Sequence, residues 1–258
     1  MSLFNGRVVA LTGAASGIGL ATAHLLAERG ATLSLADANA EGLDKAEKEI
    51  KQRWGDGVKV LPYVVDVRNE EQVQKWIETT VQVFGRLDGA ANVAGVIGKS
   101  IGIKTIAEQD ISEWDFIMDI NLKGVMLCLK HQLQHISDNG SIVNASSIAG
   151  LQGRPKNAAY AASKHGVIGL TRSAAKEVGH KGIRVNAVCP GMIDTPMSAN
   201  ARLAVKGQKD EVLAEAMQVA MKRKGKAEEV AELIIWLLGD GASYVTGNAV
   251  SVDGGWQC

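Results

Sequence analysis

At 258 residues, 46% hydrophobic and 22% charged, the chain carries enough apolar material to bury the core of one large α/β domain, which argues against disorder. Its 28 basic residues balance 28 acidic ones, which excludes a long-range field favouring nucleic acid or an anionic membrane surface. The three cysteines (Cys128, Cys189, Cys258) show neither disulfide nor metal-ligand spacing, and neither a leader-like N-terminus nor a membrane-length apolar run is visible, so a soluble, cytoplasmic protein without metal is expected.

The first strand candidate, RVVALT, ends at Thr12 and runs through Gly13-Ala14-Ala15-Ser16-Gly17-Ile18-Gly19 into helical periodicity over 18–29. Glycines at such a turn let the backbone bend and approach a pyrophosphate, whose charge the free N–H groups of the new helix stabilise. The Gly-x3-Gly-x-Gly spacing departs from the commoner Gly-x-Gly-x-x-Gly, and glycine-rich turns also serve packing alone. No Gly-Lys-Ser/Thr follows, so a nucleoside triphosphate loop is excluded.

The second strand candidate, ATLSLAD, ends at Asp37, eighteen residues past Gly19, where a carboxylate can accept from the hydroxyls of an adenosine ribose. Asp37 can also open a turn before Asn39; its position favours the ribose. A 2′-phosphate would be repelled there, and neither Ser16 nor Ala38 supplies a cation, so NAD is expected over NADP. Helical periodicity over 41–54 leads to the strand VKVLPYVVDV, where Asp66 and Val67 can cup an adenine, or Asp66 can cap the helix predicted over 70–84.

A fourth strand, LDGAANVAG, precedes a long helical pattern over 112–136; a fifth, GSIVNASS, precedes another over 158–178. In the latter, Tyr160 and Lys164 are four residues apart and share a face. A nearby ammonium lowers the pKa of a phenol, which suits proton exchange, although the spacing alone fits an idle helix pair as well. The strand GIRVNAVCPG, a segment over about 193–225 that breaks the alternation, helical periodicity over 227–238 and a last strand, GNAVSVDGG, complete the chain.

Seven strands separated by helices predict a doubly wound parallel sheet covered on both faces, in a single domain over 1–258. The 193–225 segment follows a strand end, where ligands of such sheets sit, so it is expected to contact substrate. His131 and His135 lie four apart without a third ligand and are expected to be structural; Cys189 is expected to be a buried apolar residue, and the basic run 222–226 a solvated turn.

Together these motifs resemble the main branch of the short-chain dehydrogenase/reductase family over essentially the whole chain. The glycine turn from Thr12 to Gly19, the set Asn121, Ser147, Tyr160 and Lys164, and the segment Pro190-Gly191-Met192-Ile193-Asp194-Thr195 carry the resemblance. It implies a seven-stranded Rossmann-type sheet ordered 3-2-1-4-5-6-7, a homotetramer assembled through the two long central helices, and hydride transfer between a nicotinamide and a secondary alcohol or ketone. In that scheme Tyr160 exchanges the proton, Ser147 steadies the substrate oxygen, Lys164 lowers the tyrosine pKa and holds the nicotinamide ribose, and Asn121 holds a water beside the lysine. Ile193 and Thr195 orient the carboxamide.

The family usually reads Asn-Asn-Ala-Gly after its fourth strand; this chain has Asn92-Val93-Ala94-Gly95, which keeps the cofactor-side residues Asn92, Ala94 and Gly95 but puts one polar contact between the central strands in doubt. The expected substrate pocket takes in the 96–105 loop, Gln152 to Lys156, Met192 and the segment from Met197, besides Ser147 and Tyr160. A same-fold enzyme of non-redox chemistry and a nucleotide-binding regulator without turnover are the alternatives.

Overall fold

The computed structural model describes residues 3–55, 57–199 and 219–257. Seven parallel strands form its main sheet: β1 (Val8–Thr12), β2 (Thr32–Asp37), β3 (Val60–Val64), β4 (Gly89–Asn92), β5 (Ser141–Ala145), β6 (Arg184–Pro190) and β9 (Ala249–Val252). Their order is β3-β2-β1-β4-β5-β6-β9, as the family resemblance implies. A small second sheet pairs β7 (Ile193–Asp194) with β8 (Gly225–Lys226).

Strand residues alternate between the faces of the sheet, and the core divides accordingly. Val9, Leu11, Leu33 and Leu35 pack on one face with helices α1 (Gly17–Glu28) and α7 (Ala227–Leu238), through Leu26, Ile234 and Leu237. Ala10 and Ala36 lie on the other, under α3 (Glu70–Phe84), α5 (Gly124–His135) and α6 (Ala158–Val178), which contribute Trp76, Ile77, Leu129 and Val167. Each fully buried leucine or isoleucine contributes on the order of 2 kcal/mol, so both faces of the sheet are strongly held. Helix α2 (Ala40–Trp54) begins at Asn39, whose side chain accepts from the Gly42 N–H at 3.0 Å.

The pattern over 112–136, which the sequence presents as one helix, is divided. Helix α4 (Ile111–Met118) passes through a five-residue π-helical turn, Asp119–Lys123, before α5 begins. Such a turn accommodates one extra residue and redirects side chains. Close packing fixes its surroundings: a Cβ on Gly166 of α6 would lie 2.7 Å from Leu122 Cδ1, and one on Gly124 would lie 2.7 Å from Val67 Cγ2.

Strand order reverses between β2-β1 and β4-β5, so a crevice opens at the carboxyl ends of β1 and β4. The loops that follow these strands build the site. Of the expected 193–225 insertion, residues 200–218 lie outside the described residues.

Candidate active site

The crevice holds a cleft of about 440 Å³ at the ends of β1 to β4. Gly13, Ser16, Gly17, Ile18 and Gly19 form one wall, as the turn motif predicts. Gly13 and Gly17 have φ of 71° and 52°, in the left-handed region that a side chain disfavours. A Cβ on Gly19 would lie 2.0 Å from the Gly13 carbonyl oxygen, so only hydrogen fits inside the turn. Ser16 precedes α1 without capping it through its side chain, which leaves the helix's positive end to the cleft. The Thr12 hydroxyl accepts from the N–H groups of Val93 (3.1 Å) and Ala94 (3.2 Å), binding the β4 loop to β1.

Asp37 lines this cleft and also does what the turn reading expected: its carboxylate accepts from Ala15 N at 3.0 Å and from Asn39 N at 2.9 Å. Asp66 and Val67 line it too. Arg68 holds Asp66 in a bidentate pair, with Nε 2.9 and 3.0 Å from its two oxygens, and its hydrogen bonds keep the Asp66 carboxyl below its usual pKa. Asp66 does not cap α3; Asn69 does, accepting from Gln72 N at 3.2 Å. Arg68, Phe116 and Ile120 are wall residues that sequence reasoning missed.

A second cleft, of about 250 Å³, shares Ile18, Val93, Gly95, Val96, Thr195 and Met197 with the first. Ser147, Tyr160, Lys164, Pro190, Gly191, Met192 and Ile193 line it. Ser147 sits where β5 gives way to a short 3-10 turn, Ile148–Gly150; its Oγ accepts from Ala149 N at 3.2 Å, and its side chain is hydrogen-bonded to Tyr160. Tyr160 and Lys164 project from the first two turns of α6. The Lys164 ammonium donates to the Ala145 carbonyl at 2.8 Å and lies 5.6 Å from the centre of the Tyr160 ring.

The electrostatics correct one expectation. Burial pushes the Tyr160 phenol above its ordinary pKa, against a smaller opposing effect of the Ser147 hydrogen bond, and Lys164 does not offset it. The same burial pulls Lys164 down to about 8, because an ammonium is costly to keep away from water.

Two further site residues named from the sequence, Asn121 and Asn92, line neither cleft. Asn121, in the π-helical turn, is fully buried and lines neither cleft. Its Oδ1 accepts from Val96 N at 2.8 Å and its Nδ2 donates to Val96 O (2.9 Å) and Ser163 Oγ (3.2 Å), so it braces the loop after β4. A Cβ on Gly95 would lie 3.2 Å from Asn121 Oδ1 and 3.4 Å from Lys164 Nζ; glycine lets the three approach.

Asn92 also turns away from both clefts. It exchanges hydrogen bonds with Gln132 (2.9 and 2.8 Å) and donates to Asn144 Oδ1 (2.9 Å), and Asn144 Nδ2 in turn donates to Thr171 Oγ1 (3.0 Å). All four side chains are buried. This network joins β4 and β5 to α5 and α6, so the polar contact that Val93 placed in doubt is supplied by Asn92. Ala94 and Gly95 do line the first cleft.

Gln152 lines neither cleft; Arg154 and Asn157, farther along the same loop, do. Ile97, Ile101 and Trp256 complete this wall; the sequence named the 96–105 loop and the Gln152 to Lys156 segment that holds Arg154, but neither Asn157 nor Trp256. The only signal for Trp256 was the Asp-Gly-Gly before it.

Burial raises Cys189 to about 11 and Cys128 to about 12, which favours the unreactive thiol in each. His131 is buried, with Nε2 3.7 Å from Glu70, and no group of three metal-binding side chains occurs among the described residues. Arg223 pairs with Glu229 of α7, so the basic run anchors a helix start. No helix among the described residues is long and apolar enough to cross a membrane.

Comparison with known proteins identifies the family. The sequence model of a family described as enoyl-(acyl carrier protein) reductase matches residues 13–257. The chain is similar to the short-chain dehydrogenase/reductase aba4 of Botryotinia fuckeliana (strain B05.10), at 51% identity over 255 residues covering 99% of this chain and 98% of the relative. It is 42% identical to levodione reductase of Leifsonia aquatica over 98% of this chain and 94% of that one. A crystal structure of levodione reductase superposes with a TM-score of 0.92, at 40% identity and 98% coverage of each chain. With its sheet order, its glycine turn and its similarity to these proteins over nearly the whole length, the chain belongs to the short-chain dehydrogenase/reductase family of oxidoreductases.

Proposed function

We propose that this protein, a single domain over 1–258, transfers a hydride between a nicotinamide cofactor, NAD in preference to NADP, and a secondary alcohol or ketone, with Tyr160 as general acid/base. The observation that carries this reading is the convergence of Tyr160, Ser147 and Lys164 on one cleft that shares its walls with the glycine-turn cleft. The residues present fit a dinucleotide: side chains are excluded at Gly13 and Gly19, which lets the backbone of the turn approach a ligand, and the start of α1 offers N–H groups to a pyrophosphate. When bound, the cofactor supplies or accepts the hydride.

The chain's own groups handle orientation and the proton. In the reducing direction, the neutral Tyr160 hydroxyl donates its proton to the substrate oxygen, and Ser147 stabilises the charge developing there. Lys164 would hold the nicotinamide ribose, with its position fixed by Ala145 O. Asn121 braces the cleft wall through Val96 and would hold a water linking Lys164 to solvent. Ile193 and Thr195 would orient the carboxamide, and Met192 and Met197 supply apolar substrate contact.

Asp37 supports NAD, since its carboxylate lines the cleft where a 2′-phosphate would lie, Ala38 offers no cation, and Arg68 is engaged by Asp66. A cytoplasmic homotetramer assembled through α5 and α6, acting on a small molecule, belongs to the same reading; sedimentation would measure the assembly. Assay of a panel of alcohols and ketones by nicotinamide absorbance, with both cofactors, tests the function. Turnover with NAD and a shift of at least about tenfold toward NADP in Asp37→Ser is expected, about 1.4 kcal/mol of discrimination. Tighter binding of NADP by the unaltered protein would overturn the cofactor assignment.

A further inference from the structure

Two aliphatic side chains of the second cleft, Ile97 and Ile101, come from a segment over 97–104 that is neither strand nor helix. A wall made by a loop is only as firm as the bonds that hold the loop. At its far end, Ser100 O accepts from Ile103 N (2.9 Å) and Lys104 N (3.2 Å), and Gly102 N donates to Lys156 O (2.9 Å). The part from Ile97 to Ile101 is held from elsewhere, by Glu113 in the first turn of α4.

The Glu113 carboxylate gathers consecutive groups of this loop. Its Oε1 accepts from Ser100 N at 2.9 Å, its Oε2 accepts from Ser100 Oγ, and Lys99 N donates to it as well. Gln109 Nε2 lies 3.5 Å from Oε2. The loop makes room for the group: a Cβ on Gly98 would lie 2.6 Å from Glu113 Oε1 and 2.9 Å from Ile117 Cδ1, so glycine at 98 admits the carboxylate. Helix α4 fixes the other end, because Asp110 Oδ1 accepts from Glu113 N at 3.0 Å. Partial burial pushes the Glu113 carboxyl up, but the hydrogen bonds from Ser100, Lys99 and Gln109 outweigh it and keep its pKa below the ordinary value. The loop therefore meets an anion, whose hydrogen bonds are stronger than those of a neutral acceptor. Glu113 itself lines neither cleft, so it acts on the site only through the loop.

We propose that Glu113 is a positioning residue for the substrate: by holding Lys99 and Ser100 it sets Ile101, the next residue, and Ile97 as a fixed apolar wall of the catalytic cleft. A wall already held in place gives a substrate its full apolar contact, whereas a loose one must first lose its own freedom. Release of the latch therefore shows as weaker substrate binding, in KM, and not as slower chemistry. A small ketone such as acetone reaches Tyr160 and Ser147 with little of this contact and depends on the latch less than a ring ketone does. The turnover readout rests on the hydride-transfer reading; the state of the loop does not.

Hydrogen exchange and steady-state kinetics on the full chain test this, with cyclohexanone and acetone as probes and NADH as cofactor. In Glu113→Gln one acceptor oxygen becomes a donor facing donors, so exchange over 97–104 is expected to quicken about tenfold or more, with β1 and the 12–19 turn unchanged. KM for cyclohexanone should rise about tenfold, while kcat and the acetone KM stay within about threefold and NADH affinity within about twofold. Gly98→Ala displaces the carboxylate from the loop side and should reproduce this pattern; it carries the test if Glu113→Gln fails to fold. Ile101→Ala should also raise KM for cyclohexanone, and adding Glu113→Gln to it should cost less than about twofold more, because both remove the same contact. A general structural defect would lower kcat or NADH affinity, or add in full to Ile101→Ala; either result overturns the proposal, as does unaltered exchange over 97–104. If the unaltered protein turns over neither ketone, the hydride-transfer reading loses support, and exchange over 97–104 decides the latch by itself.

Discussion

In the glycine-turn cleft the walls are shaped by missing side chains: Gly13 brings its backbone against that of Val93 and Ala94, and Gly19 against the Gly13 carbonyl. In the catalytic cleft the walls are side chains brought from β5, α6, the Pro190 segment and the C-terminal turn. A site made of backbone tolerates little change in shape but asks for little chemistry. A site made of side chains depends on each group's protonation and on distant segments arriving together.

The sharpest way to break this contrast is Tyr160→Phe, which removes one hydroxyl and no wall. Turnover is expected to fall by about 10²- to 10⁴-fold, the usual contribution of a general acid/base, with NAD affinity nearly unchanged. Near-normal turnover would reassign the proton to another group. Gly19→Ala should do the converse. Its Cβ would press on the Gly13 carbonyl, 2.0 Å away, so NAD affinity is expected to drop by roughly a hundredfold, about 2.7 kcal/mol, in a fluorescence titration. An unaltered affinity would mean that the turn is not the phosphate cradle.

Beneath both clefts lies the amide network of β4, and Asn92→Leu would leave buried polar atoms of Gln132 and Asn144 unpaired. A loss of about 1–3 kcal/mol per orphaned group is expected in urea unfolding, larger than any direct effect on NAD binding. A loss of NAD affinity without a loss of stability would return Asn92 to the cofactor site.

The smallest effect is the pH dependence of stability. Lys164, fully buried, binds its proton more weakly when folded than unfolded. Its burial cost is therefore felt in full below about pH 8, and stability should rise as pH climbs from about 8 toward the ordinary lysine value. Tyr160 has the opposite sign: its raised pKa keeps the folded state protonated where the unfolded phenol ionises, so stability should fall above about pH 10. Lys164→Met should abolish the rise and keep the fall.

Much of this was legible in the chain because it is local. All seven strands, the glycine turn and the helices over 70–84, 158–178 and 227–238 follow from periodicity and turn chemistry, and the structure has them there. The division of 112–136 was not legible, since Ile120, Asn121 and Leu122 sit comfortably in an α-helical pattern and a π turn has no composition of its own. Asn92 was misplaced for a simpler reason. Val93 faces the clefts, and at the end of a strand its neighbour faces the other way.

The Tyr160 pKa was misjudged because spacing reports that a lysine is near but not how deeply the pair is buried. Arg154 and Trp256 lie in segments without periodicity, so neighbours in sequence such as Gln152 offered equal claims.

The Gln132-Asn92-Asn144-Thr171 network also constrains how such a chain can diverge. Each amide satisfies another, so a single replacement is penalised while a concerted apolar replacement of partners can be nearly neutral. Descendants that explore these positions one at a time meet a fitness valley, whereas the aliphatic walls of the substrate cleft can drift residue by residue. The rigid floor is thus an epistatic lock, and it leaves the substrate pocket as the part of the protein free to evolve.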